Sequence, residues 1–253
     1  MSKLSIGQND VVKTSTKRRN LIFKVNPTYQ RQKFVVDYVA NHEGQAGIIY
    51  CSTRKQVEEL HEALNNEKIK STIYHAGLTN KERIEAQNDF LYDRVEVVIA
   101  TNAFGMGIDK SNVRYVIHYN MPGDLESYYQ EAGRAGRDGL KSECILLFSE
   151  RDKGLHEYFI TVSQADDDYK DKMGEKLTKM IQYTKTKKCL EATIVHYFEP
   201  NENLEECNQC SNCIQENKTY DMTREAKMII SCIARMKQQE NYSCLLYTSD
   251  AAD

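Results

Sequence analysis

Ile99-Ala100-Thr101-Asn102-Ala103-Phe104-Gly105-Met106-Gly107-Ile108-Asp109 is the stretch that decides how this chain folds. It begins as an apolar run typical of a strand covered on both faces, and it opens into a loop with two glycines. After twenty intervening residues comes Gln130-Glu131-Ala132-Gly133-Arg134-Ala135-Gly136-Arg137-Asp138-Gly139. Its glycines let the backbone approach a ligand closely, and its two arginines can fork onto phosphate oxygens. Both stretches therefore predict a loop site that takes a phosphate-bearing ligand.

The region around these stretches alternates between strand and helix patterns. Amphipathic helices are predicted over Arg54–Leu64, with Val57, Leu60 and Leu64 on one stripe, and over Lys81–Phe90, with Ile84 and Phe90 as its apolar residues. Such alternation indicates an α/β fold with a parallel sheet, whose loops at the carboxyl ends of the strands hold the ligand. The predicted strands are Leu21–Val25, Gly47–Cys51, Thr72–His75, Val95–Ala100, Tyr115–Tyr119 and Cys144–Phe148.

The pattern changes after Phe148. Residues 150 to 200 are predicted to be helical throughout, and a compact cysteine cluster follows at 207–213. Residues 223 to 237 again form an amphipathic pattern, with Ile229, Ile230 and Ile233 on its apolar stripe. The sequence therefore predicts a helical subdomain behind the α/β domain.

Composition bounds the class of protein. The chain has 253 residues, 40% hydrophobic and 28% charged, with a formal net charge of −3. That length suits one full domain with a smaller one, and the charge gives no global basic footprint for nucleic acid. With no apolar run near 18 residues and no signal peptide at the start, we expect no membrane association.

The cysteine spacing predicts a metal site. Cys207, Cys210 and Cys213 stand at intervals of three, and Cys189 lies upstream on a predicted helix. Zinc takes four tetrahedral ligands, and thiolates this close in a turn can face one ion. His196 on the same helix is the alternative fourth ligand. The apolar runs around Cys51, Cys144 and Cys232 predict that these three are core residues.

Together these residues resemble the RecQ family of DNA helicases over roughly residues 15 to 240. The motifs match in order and spacing, and the cysteine set, with seventeen residues between Cys189 and Cys207, makes the resemblance specific. Arg19 stands where the family usually has proline in an Arg-Pro-Asn start, Ser111 replaces a common proline, and Leu190 replaces a usual arginine. The matching motifs are GIIYCSTR at 47–54, YHAGL at 74–78, VIATNAFGMGIDK at 98–110 and YYQEAGRAGRDG at 128–139.

The resemblance implies roles for particular residues. Arg137 would be the arginine finger, assisted at the nucleotide by Arg134 and Gln130. Gly107 and Asp109 would face ATP, whereas Thr101, Asn102 and Ser52 would face the DNA strand. The implied cofactors are a structural Zn²⁺ on Cys189, Cys207, Cys210 and Cys213, and ATP with Mg²⁺. The implied partners are single-stranded DNA, duplex junctions and a first RecA-like domain of the same natural chain.

The resemblance also implies a domain layout and an incomplete motor. The layout is an inter-domain connection at 1–19, a second RecA-like helicase domain at 20–149, a zinc-binding subdomain at 150–218 and the first helix of a winged-helix domain at 219–243. Residues 244–253 can be encoded by a sequencing-library adapter, so we expect them to be a scar. The sequence has no Gly-x-x-x-x-Gly-Lys-Ser/Thr loop and no Asp-Glu-x-His motif, so we expect no ATP hydrolysis by this chain alone.

The implied whole protein is an ATP-dependent 3′–5′ DNA helicase of recombination and repair. It would be cytoplasmic and nucleoid-associated in a bacterium and nuclear in a eukaryote. Two alternatives remain at this point. One is half of a DEAD-box-like RNA helicase, and the other is a non-catalytic, zinc-containing module that binds DNA or regulates another protein.

Overall fold

A six-stranded, wholly parallel sheet organises the molecule. The computed structural model describes residues 17–101, 104, 109–202, 206–214 and 223–238. The strands lie in the order β1-β6-β5-β2-β4-β3, and all neighbours run parallel. Their bounds are β1 Leu21–Pro27, β2 Ala46–Tyr50, β3 Ser71–Tyr74, β4 Val97–Ala100, β5 Val113–His118 and β6 Ser142–Phe148. The sequence prediction of six strands and an α/β fold is confirmed.

Both faces of the sheet are covered, as the unbroken apolar strands require. One face carries Ile48, Val98 and Leu146 in a core cluster that extends into the helical region. The opposite face carries Ile49 and Ile117 in a second cluster. Because neighbouring residues of a strand point to opposite faces, strands β2, β4, β5 and β6 contribute buried residues to both clusters.

Helices connect the strands and continue beyond the sheet. In the described part of the chain the helices are α1 Arg31–Ala40, α2 Arg54–Asn66, α3 Asn80–Leu91, α4 Leu125–Ala132, α5 Glu150–Val162, α6 Asp167–Lys185, α7 Leu190–Phe198, α8 Ser211–Ile214 and α9 Thr223–Gln238. Amphipathic patterns predicted α2, α3 and α9, whereas α1 and α4 were not assigned from sequence.

The two apolar residues named for the Lys81–Phe90 helix lie on different faces of α3. Phe90 is fully buried together with Ala86, but Ile84 is 60% exposed. At 3.6 residues per turn, six positions rotate a side chain by about 240° around the helix axis, so Ile84 and Phe90 cannot share one face. Phe90 and Ala86, four residues apart, do share one.

The helical region after Phe148 is confirmed, with breaks between α5, α6 and α7. The chain divides into two compact units, Met1–Gln215 and Glu216–Asp253, and α9 is the described part of the second. The prediction that Cys232 is a core residue is wrong, because Cys232 is exposed on α9 beside the exposed Ile229 and Ile233. A single helix cannot bury its own apolar stripe without a partner element.

A buried carboxylate joins α5 to the sheet domain. Asp152 is 3% exposed. Its Oδ1 accepts from the Arg31 guanidinium at 2.9 Å and from the Asn120 amide at 3.3 Å. Its Oδ2 accepts from the backbone N–H groups of Met121 and Ser149 at 3.4 and 3.1 Å, and it also pairs with Arg31. One side chain therefore ties α5 to α1 and to the loop after β5.

Replacing Asp152 is expected to destabilise the protein strongly. Asp152→Ala leaves the guanidinium of Arg31 buried without its counter-charge, and breaking a buried pair in this way costs about 3–5 kcal/mol. Glu157→Ala on the same helix removes an exposed partner of Lys153 and should change the free energy of unfolding by less than about 0.5 kcal/mol. Denaturant titration of both variants measures the difference, and equal stabilities would contradict this account.

Across the residues that the structure describes, no helix combines the length and the apolar character that crossing a membrane requires.

Candidate functional site

Four cysteine sulfurs form one compact cluster. The Sγ atoms of Cys189, Cys207, Cys210 and Cys213 all lie within 4.8 Å of one another. Cys213 Sγ is 3.4 Å from Cys210 Sγ and 4.0 Å from Cys207 Sγ. A tetrahedral zinc site with Zn–S bonds of about 2.3 Å separates its sulfurs by about 3.8 Å. The cluster therefore has the dimensions and the soft donors that suit zinc.

The local backbone turns N–H groups toward these sulfurs. Cys189 is the N-cap of α7 and accepts from the N–H groups of Ala192 and Cys207. Cys210 accepts from Leu190 N at 3.4 Å. Asn208 has φ of +57°, a left-handed conformation that asparagine tolerates, at the turn where Cys210 N donates to Cys207 Sγ. Such donors offset the negative charge of bound thiolates.

Burial keeps thiols protonated unless a cation or a donor compensates. It raises the pKa of Cys207 above its usual value, and it raises the pKa of Cys213 to about 11. Burial acts in the same direction on Cys210, but backbone hydrogen bonds from Leu190 and Cys213 bring its pKa below the usual value. A divalent metal would supply the charge that four neighbouring thiolates need.

The cysteine loop also covers an edge of the sheet. Gln209 Nε2 donates to the carbonyls of Arg19 and Leu21 at 2.9 and 3.3 Å, and Ser211 Oγ accepts from Val25 N. Because β1 lies at the end of the sheet order, these contacts occupy backbone groups that an edge strand would leave exposed. Asn212 Nδ2 ties the loop to the segment after α6, at the carbonyls of Thr186 and Lys188.

The other predicted cysteine and histidine positions lie outside the cluster. His196 is exposed on the last turn of α7, so the geometry brings Cys189 rather than His196 to the other three sulfurs. Cys51 and Cys144 are buried in the sheet domain, as predicted.

The second predicted site contains the two arginines after α4. Arg137 Nη1 donates to Asp109 Oδ1 at 2.9 Å, which brings together two residues predicted to meet at the nucleotide. Both are exposed, Asp109 at 89% of its side chain. The neighbouring Asp138 is engaged by Arg114 at 2.6 Å, which lowers the pKa of Asp138. Arg137 thus stands at the surface with a carboxylate that a ligand can replace.

Arg134 and Gln130 differ in their surroundings. Arg134 is half-buried and donates to the hydroxyl oxygen of Tyr50. Burial raises the pKa of Tyr50 above its usual value, and the charges of Arg134 and Arg137 act against that rise. Gln130 is exposed on the last turn of α4.

Two residues ahead of β1 hold the loop that carries the arginines, and sequence reasoning missed them. Arg18 donates to the carbonyls of Gly133, Ala135 and Gly136. Asn20 Nδ2 donates to Gly136 O at 2.8 Å. In the sequence, the sign of these contacts is that polar residues stand on both sides of Arg19. Arg19 itself is the position at which the chain departs from the family's usual proline.

Two of the residues predicted to face DNA, Ser52 and Thr101, lie at the carboxyl ends of strands. Ser52 follows β2 and is exposed, with its N–H bonded to Asn120 Oδ1 at 3.0 Å. Thr101 follows β4 and is half-buried, and its N–H bonds Tyr74 O at 3.1 Å. The carboxyl ends of parallel strands meet at this edge, where ligands of such sheets bind. Asn102 and Gly107 lie outside the described residues.

Two family models match this chain. Residues 30–139 match the model described as the helicase conserved C-terminal domain. Residues 150–214, which include all four clustered cysteines, match the model described as RecQ zinc-binding. The chain belongs to the RecQ family.

Relatives in sequence agree with this assignment. The RecQ chain is 44% identical over 237 residues to the ATP-dependent DNA helicase RecQ of Bacillus subtilis, covering 94% of this chain and 40% of that protein. It is 37% identical over 223 residues to the ATP-dependent DNA helicase RecQ of Pasteurella multocida, covering 88% of this chain and 34% of that protein. The chain therefore spans less than half the length of these relatives.

A structure titled S. cerevisiae Dbp5 L327V bound to RNA and ADP BeF3 superimposes with a TM-score of 0.52. The sequences are 21% identical, and the match covers 71% of the RecQ chain and 51% of the other. This likeness concerns the fold alone, a RecA-like parallel sheet flanked by helices.

Proposed function

We propose that this chain is the C-terminal part of an ATP-dependent 3′–5′ DNA helicase that unwinds DNA in recombination and repair. The observation that carries the proposal is the exposed Arg137 guanidinium beside Asp109, on a loop fixed to the sheet. An exposed, positioned arginine suits a phosphoryl group held by another domain. A first RecA-like domain of the natural chain would hold ATP and Mg²⁺, so this chain alone would not hydrolyse ATP.

Several residues would act at the bound nucleotide. Arg137 acts as the arginine finger, and Arg134 and Gln130 assist. Gly107 and Asp109 face ATP. The half-buried Arg134, hydrogen-bonded to Tyr50, suits a fixed contact, whereas the exposed Arg137 suits one made as the domains close.

DNA would bind at the carboxyl ends of the strands. Ser52, Thr101 and Asn102 contact phosphates of a single strand or of a junction, through hydroxyl, amide and backbone N–H groups. Arg54 at the start of α2 adds a cation and the positive end of a helix next to Ser52. Phosphate contacts carry no sequence information, which suits a motor that steps along any DNA.

Cys189, Cys207, Cys210 and Cys213 hold a structural zinc ion in this proposal. The sulfur separations and the backbone donors around them support it. The ion would join α7 and the cysteine loop to the edge of β1. Its role is to stabilise the fold, since four thiolates leave no open coordination position for catalysis.

Binding of DNA by this chain is expected to be weak, salt-sensitive and nearly independent of sequence. For a single strand the slope of log K against log salt is about −0.7 per neutralised phosphate. Fluorescence anisotropy with labelled oligonucleotides of several sequences measures both properties. Arg54→Ala should weaken binding to all of them, whereas Lys172→Ala, which removes a cation paired with Asp168 on α6, should not. Tight, salt-independent binding to one sequence would favour the alternative of a specific regulator.

One experiment distinguishes the proposed helicase from the alternative of a non-catalytic regulatory module. Joining the chain to the first motor domain of the Bacillus subtilis relative should give ATP hydrolysis that DNA stimulates. A folded, zinc-containing fusion without hydrolysis would favour a non-catalytic module. Stimulation by RNA but not DNA would favour the RNA helicase alternative, which the RecQ zinc-binding match disfavours. The same proposal places the protein with the nucleoid in a bacterial cytoplasm, or in a eukaryotic nucleus.

A further inference from the structure

The segment just ahead of β1 reaches across the fold to the arginine loop. Arg18 Nη2 donates to Ala135 O at 3.0 Å and to Gly136 O at 2.8 Å, and Arg18 Nη1 donates to Gly133 O. These carbonyls follow the end of α4, where the last helical C=O groups lack partners within the helix. The end of a helix also carries partial negative charge, which a guanidinium complements.

Asn20 contacts the same loop. Its Nδ2 donates to Gly136 O at 2.8 Å and to Leu140 O at 3.0 Å. Gly136 has φ of +56°, and a Cβ there would lie 2.5 Å from Asn20 Nδ2 and 2.7 Å from Leu140 O. Only glycine therefore fits at this position of the loop.

The clamped backbone adjoins both arginines. Gly136 lies directly before Arg137, and Gly133 and Ala135 flank Arg134. The N–H groups of Gly136 and Asp138 bond the carbonyls of Val113 and Ser111, and Arg18 adds bonds to the loop carbonyls. A guanidinium that stabilises a transition state must be held to within about 0.5 Å, and a catalytic group on a loop relies on supporting contacts for that.

We propose that Arg18 is a positioning residue for Arg134 and Arg137. It fixes the Gly133–Gly136 backbone so that both guanidinium groups point at the nucleotide side. This inference deepens the proposed function and rests on it for the role of the two arginines. Lysine should not replace Arg18, because a single ammonium lacks the planar fork that reaches three carbonyls in different directions.

The clamp is tested first in the zinc-containing chain without any added domain. Arg18→Ala should speed amide hydrogen exchange in the peptide covering residues 133–139 by about 10- to 100-fold, because charge-assisted hydrogen bonds are lost. Exchange in β2 and β4 should stay unchanged. Arg19→Ala, which removes the adjacent exposed arginine, is the matched control and should leave the loop protected. Unchanged exchange in the Arg18 variant, or faster exchange throughout the sheet, would overturn the clamp.

The positioning role is tested by ATP hydrolysis after the chain is joined to a first motor domain. Arg18→Ala and Arg18→Lys should lower kcat by about 10- to 100-fold and leave the KM for ATP within about 2-fold, a split that loss of folded protein would not produce. Arg19→Ala should match the unsubstituted fusion. A normal kcat with Arg18→Ala would refute the role. If the unsubstituted fusion does not hydrolyse ATP, the proposed function fails, and hydrogen exchange still decides whether the clamp exists.

Discussion

Removing zinc with a chelator is expected to loosen the region from α6 to α8 and to expose the β1 edge of the sheet. Structural zinc in finger peptides contributes about 10–16 kcal/mol of apparent binding free energy, more than the whole stability of many domains. Here the four sulfurs lie within 4.8 Å, so four thiolates left without a metal would repel one another until they take up protons. Contacts from Gln209 and Ser211 to β1 would be lost with the loop.

Elemental analysis measures the metal, and thermal unfolding measures its effect. The purified chain should contain one zinc ion, and Cys210→Ser should lose it, because the buried Cys210 supplies one of the four sulfurs of the cluster. Cys232→Ser and His196→Ala change residues outside the cluster and should both retain the ion. Absence of zinc from the unsubstituted chain, or a full zinc content in Cys210→Ser, would refute the site.

Arg137→Ala in the chain joined to a first motor domain should lower ATP turnover by about 10³- to 10⁵-fold. The guanidinium acts on charge that develops in the transition state, so ATP binding should change far less than turnover. Arg137→Lys should not restore the rate, since a point charge lacks the planar fork. Steady-state hydrolysis with saturating DNA gives kcat, and equilibrium binding of a labelled ATP analogue gives the affinity.

The matched control is Arg151→Ala, which removes an exposed arginine on α5, and its turnover should equal that of the unsubstituted fusion. Normal hydrolysis with Arg137→Ala would show that another residue is the finger. Arg134 would then be the next candidate, because it lies on the same loop, where it donates a hydrogen bond to Tyr50.

Local sequence patterns predicted which elements exist. Short unbroken apolar runs gave six strands within two residues of their observed ends, because strands covered on both faces need apolar side chains throughout. The cysteine intervals predicted that Cys207, Cys210 and Cys213 lie together, since a tight turn brings residues three apart to one point, and the structure adds Cys189 to them. Where burial depends on a partner element the prediction was wrong, as for Cys232 on α9.

The sequence by itself determined the α/β alternation, the arginine loop and the three closely spaced cysteines at 207–213, because each depends on residues close together in the chain. Tertiary structure alone decided the strand order, the cover that Gln209 and Ser211 place on β1, and the reach of Arg18 to a loop 115 to 118 residues away. These depend on which distant segments pack together. Hydrogen bonds between such segments leave no periodic trace in the sequence, since either partner alone looks like an ordinary polar residue.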